Sequence, residues 1–151
     1  MFTPNEKHRQ KPLFSTVSTL REELRQWLEA SWASTFYEEL FSRIDENIFA
    51  VLYSNKASRP NTPVNILLGL EMLKDGNGWT DEEMYSNFCY NVQVRYALGL
   101  HSLDEGHFRL RTMYNFRQRL VQHMQATGEN LVERCSLCVN IELDTPPPIL
   151  L

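Results

Sequence analysis

The stretch that most limits what this chain can fold into is Thr62-Pro63-Val64-Asn65-Ile66-Leu67-Leu68-Gly69-Leu70-Glu71-Met72-Leu73-Lys74. Its apolar residues fall on more than one stripe of a helix, and a helix that is apolar almost all round has to be covered on several sides. Thr62 is suited to cap the first free amides, and Pro63 to sit in the first turn, where a missing N–H costs nothing. Asp75-Gly76-Asn77-Gly78 supplies residues that tolerate a left-handed exit. The expectation is an all-α fold: a compact multi-helix domain around a central buried helix at about 62–75, with flexible termini.

With 151 residues, 42% of them hydrophobic, the chain is long enough for one domain with its own core. Its formal charge of −4 argues against a uniformly basic surface, so any anion site must be local. No apolar run approaches the roughly 20 residues that span a bilayer, and the first residues lack an apolar signal core. A cytoplasmic location without membrane contact is expected. There Cys89, Cys135 and Cys138, an odd number, are expected to stay reduced.

Three regions follow from the pattern. Residues 1–17 combine Lys7, Arg9 and Lys11 with Pro4 and Pro12 and read as a flexible basic arm. Residues 18–137 read as helical. Leu20, Leu24, Trp27 and Leu28 share one face, with Thr19 and Glu22 spaced as a capping box. Trp32, Phe36, Tyr37, Leu40, Phe41 and Ile44 follow, and Asp45 can cap a short helix reaching Leu52. Aromatics at this spacing normally pack in a core, so Trp27, Trp32 and Phe36 are placed there rather than in a stacking platform. Thr80 followed by Asp81, Glu82 and Glu83 starts another helix, and Gly99 breaks the chain after Leu98. Residues 138–151, with Pro146-Pro147-Pro148, read as a Pro-rich tail.

Charge is uneven along this sequence. Between Asn91 and Gln125, Arg95, Arg109, Arg111, Arg117 and Arg119 are opposed only by Asp104 and Glu105. Met113, Phe116, Leu120 and Met124 recur at helical spacing, leaving Arg117 and Arg119 off the apolar stripe with Asn115 and Gln118 nearby. Arginine forks suit phosphates and guanine edges, and amides suit adenine, so these five arginines are the candidate DNA contacts. A merely solvated arginine face is the competing reading.

Several motifs in register carry a resemblance. Arg59-Pro60-Asn61-Thr62-Pro63, the helix ending Met72-Leu73-Lys74, Gly78-Trp79-Thr80-Asp81-Glu82-Glu83, Val94-Arg95-Tyr96-Ala97-Leu98-Gly99-Leu100 and Thr112 through Phe116-Arg117-Gln118-Arg119-Leu120 resemble the N-terminal, InsH-type domain of bacterial insertion-sequence transposases. The resemblance implies an all-helical domain preceding an RNase H-like catalytic domain, where three carboxylates hold divalent metal for strand transfer. It implies recognition of the element's terminal inverted repeats. Because the chain ends at Leu151, the expectation is a truncated transposase that does not cut DNA and needs no cofactor of its own, the divalent metal belonging to the missing domain. A protein-interaction module that pairs with full-length transposase and inhibits it, or pairs with itself, is the alternative.

Other chemistry has less support. Cys135-x-x-Cys138 is half of a zinc-site spacing without a second pair. His101 and His107 bracket Asp104 and Glu105, but no activated nucleophile or phosphate cradle accompanies them. No catalytic or metal-binding residues are assigned.

Overall fold

The computed structural model describes residues 1–56 and 59–136, and among them there are helices and turns but no strand. The element order is α1 (Thr16–Thr19), α2 (Glu22–Glu29), α3 (Trp32–Glu39), α4 (Val64–Asn77), α5 (Asp81–Tyr90), α6 (Val92–Ala97) and α7 (Leu110–Thr127). Short 3-10 turns lie at Lys7–Arg9, Phe41–Arg43 and Glu46–Leu52, and residues 131–136 are again helical.

α4 is the buried axis. Val64 through Leu70 and Leu73 are all inaccessible. They meet Phe41, Ile48 and Phe49 from the 3-10 turns, Met84 and Phe88 from α5, Val94 and Leu98 from α6, and Met113 and Phe116 from α7 in one core cluster. Each such aliphatic or aromatic side chain contributes about 1.5–3 kcal/mol on burial. Gly69 lets two neighbours come close, since a Cβ there would stand 2.6 Å from Leu98 Cδ2 and 3.3 Å from Phe41 Cδ2. α3 lies against α6, where Ala33 and Ala97 are fully buried.

The ends of α4 differ from expectation at one side. Gly78 leaves the helix in the left-handed conformation, as its position predicts. At the start, Pro63 occupies the cap position and no side chain of the preceding run caps the helix. A distant carboxylate takes that place: Glu46, only 6% exposed, is stabilised by the amides of Val64, Asn65 and Asn5, with Asn5 N donating at 2.8 Å. Burial nonetheless outweighs these amides and pushes its carboxyl above the usual range.

Three further expectations are corrected. The Thr19–Glu22 capping box does not form; Ser15 and Ser18 make a capping box for α1, and Glu22 starts α2 behind an uncapped Arg21. Trp27 and Trp32 are not core residues, being 62% and 43% exposed. α2 packs at the periphery on α3 and turns only Leu28 fully inward, which leaves Leu24 and Trp27 to solvent. Residues 1–9, read as an arm, lie on the body: Phe2 packs on Tyr53, Thr3 N donates to Asn61 Oδ1 at 2.7 Å, and His8 Nδ1 lies 2.9 Å from the Tyr37 hydroxyl. Gly99, at φ +72°, packs beneath His8, where a Cβ would come within 2.5 Å of the histidine Cβ. The Pro-rich tail lies outside the described residues.

Candidate nucleic-acid interface

The five arginines singled out by sequence divide into two groups. Arg95, on α6, is 1% exposed, and its guanidinium donates to the carbonyls of Phe88, Ser102 and Glu105. It also lies over the Phe88 ring, 5.0 Å from its centre. Arg95 therefore ties the end of α5 to the loop after α6 and is withdrawn from solvent. Burial lowers its pKa.

Arg117 is likewise engaged. Its Nε donates to Glu71 Oε1 at 2.5 Å, and its two terminal nitrogens grip Asp81 at 3.0 and 2.6 Å. This bidentate fork joins α4, α5 and α7, and Lys74 stands 3.7 Å from the same aspartate. The hydrogen bonds from Arg117 hold the Asp81 carboxyl below its ordinary range, and those carboxylates in turn raise the pKa of Arg117.

Arg109, Arg111 and Arg119 have a different setting. All three are exposed and line one groove of about 1010 Å³, between the first half of α7, the loop entering α4 and the loop entering α7. Arg59 lines it too. Among the described residues no aspartate or glutamate lines it. The groove is also framed by Tyr53, Asn61, His107, Phe108 and Asn115.

Two features add to its positive character. α7 begins at Arg109 without a side-chain cap and has no acidic residue in its first turn, so the positive end of its dipole, beside the groove, meets no local carboxylate. The Arg119 guanidinium lies 4.9 Å from the centre of the Tyr53 ring, within cation–π range. Burial pushes the Tyr53 hydroxyl up in pKa, and the neighbouring Arg119 opposes that shift.

The loop wall is held by other means. Glu105 Oε1 accepts the amides of His101 and Ser102 at 2.9 and 3.2 Å, and His107 Nε2 lies 2.6 Å from the Leu103 carbonyl oxygen. Tyr85 donates to the Phe108 carbonyl at 3.0 Å. The polar groups of the His101–His107 loop thus serve to close it. Among the described residues no group of three His, Cys, Asp or Glu side chains could hold a metal ion. Cys135 is buried in the core, and Cys138 lies outside the described residues.

Sequence reasoning missed Arg59 as a partner of the α7 arginines, because 50 residues separate it from Arg109. The available signal was its place in the polar loop before α4. A family model described as a transposase domain (DUF772) matches residues 10–119, a span that contains all four groove arginines. No curated protein and no solved structure matches the chain.

Proposed function

Since the chain belongs to the transposase domain (DUF772) family, we propose that its part in transposition is to grip DNA through the groove lined by Arg59, Arg109, Arg111 and Arg119. One observation carries this reading: in a protein of net charge −4, four arginines from two distant segments converge where, among the described residues, no carboxylate pairs with them. Exposed guanidinium groups without a carboxylate partner are suited to phosphates, and the exposed Asn115 beside them is suited to a base edge. The terminal inverted repeats of a mobile element are the natural target. Arg95 and Arg117 act here as positioning residues, one holding the loop that carries Arg109 and the other setting α7 against α4 and α5.

The test is a salt titration of binding to element-end DNA. Changing the four groove arginines to Gln should weaken binding and flatten the log–log salt dependence by about one unit for each phosphate that is no longer neutralised. Unchanged affinity and slope would refute the assignment.

Exposed Leu24, Trp27 and Trp32 favour a second role, contact with another protein such as full-length transposase or another copy of this chain. Pull-down with intact transposase, compared between wild type and a Trp27→Ser, Trp32→Ser double variant, tests it. Equal capture by both would remove this role.

A further inference from the structure

We infer that the arginine groove holds an unpaired DNA strand, with a base laid against the guanidinium of Arg119, rather than a closed duplex. This rests on the phosphate-gripping role proposed above and narrows it to one form of DNA.

Shape is the first support. To read a duplex, a helix has to enter a major groove about 12 Å wide, and so has to stand clear of its surroundings. The arginine-bearing half of α7 instead shares a recess with residues 59–63 and 106–109, which Arg111, Asn115 and Arg119 line together with the buried Leu67 and Phe116. Its volume, about 1010 Å³, is that of a large ligand pocket, which suits a few nucleotides of one strand.

Chemistry is the second. Proteins that hold single strands combine a positive groove for the backbone with flat groups on which bases stack. Here Arg59, Arg109 and Arg111 supply positive charge. Arg119 supplies the flat group: it is exposed, it lies over the ring of Tyr53 at 4.9 Å, and Phe2 packs against that same ring at 5.7 Å. Such an exposed guanidinium is a flat group on which a base can stack, as arginine does in many contacts with unpaired bases. Asn115, exposed one turn earlier on α7, is placed to meet the free base edge that pairing would otherwise cover.

The experiment measures binding of the full chain to a labelled single strand of mixed sequence and to a duplex of that sequence closed by a loop at each end. The single strand should bind about tenfold more tightly, the scale of one stacked base. Tyr53→Leu should erase most of that preference by freeing the guanidinium. Arg119→Lys, which keeps the charge at an exposed position and removes the plane, should do the same without threatening the fold. Equal or tighter binding of the closed duplex, with a salt slope that still depends on the groove arginines, would overturn this inference and leave the phosphate grip standing. Binding to neither DNA would overturn both. A single-strand preference indifferent to Arg119→Lys would overturn the stacking assignment.

Discussion

Arg117 and Arg119 stand two residues apart on α7, yet they belong to different regions of the molecule. A separation of two residues is about 200° around a helix, so the two side chains leave on nearly opposite faces. One points between α4 and α5, where Glu71 and Asp81 close on it; the other points into a groove with no carboxylate in its lining. The helix starts nearby repeat the contrast. α5 opens with a Thr80–Glu83 capping box and three acidic residues, whereas α7 opens bare, between Arg109 and Arg111. Positive charge is therefore neutralised where elements have to be joined and left available where a surface is open. Residue type does not separate a buried or ion-paired arginine from a groove-lining one; the partners supplied by other helices do.

The sharpest way to break this contrast is at Arg95. Arg95→Met should cost about 3 kcal/mol or more, because three carbonyls of the α5–α6 region lose their donor at once, and thermal unfolding would show it. A loss below about 1 kcal/mol would mean that the buried guanidinium is dispensable. Arg117→Met should cost less, about 1–2 kcal/mol, since its carboxylate partners keep some solvent, and should leave the salt slope of DNA binding as it is. A flatter slope in that variant would move Arg117 to the DNA-facing set.

The same pair gives a pH signature. Asp81 has its pKa lowered in the folded state, chiefly by the Arg117 hydrogen bonds. Its stabilising contribution is therefore complete above the ordinary aspartate value, about 3.9, and is lost as pH falls through the lower folded value. Denaturant unfolding measured from neutrality to well below pH 4 should show wild type and Arg117→Met converging only at the acid end, beneath the ordinary aspartate value. A constant gap would point to packing rather than charge. The smallest effect belongs to the groove: Arg111→Gln should change stability by no more than about 0.5 kcal/mol while lowering the salt slope by about one unit. A clearly destabilised Arg111→Gln would show that the groove arginines also hold the fold together.

Much of the architecture was legible in the residue pattern. The all-round apolar character of 64–73 demanded a covered helix, Thr80 and Glu83 announced the start of α5, and Gly99 marked a break that its positive φ explains. Periodicity served less well at the rim. Leu24, Trp27 and Leu28 share a stripe, but α2 lies against α3 in such a way that only Leu28 is fully covered. Local spacing also missed the true caps, because the carboxylate at the start of α4 comes from Glu46, which no short-range motif connects to Val64. Of the five arginines chosen by local charge surplus, the structure gathers Arg109, Arg111 and Arg119 with Arg59 and sends Arg95 and Arg117 elsewhere.

What the sequence by itself determined was the helical class, the identity of the helix that everything else covers, and a local excess of arginine. These depend on side-chain type and on spacing within a few turns, which a single chain displays directly. Which arginines are tied down inside and which line the open groove was decided by the tertiary structure alone. Counter-charges and carbonyls arrive from segments tens of residues away, and a guanidinium is bound or free according to whether such a group reaches it before water or a phosphate does.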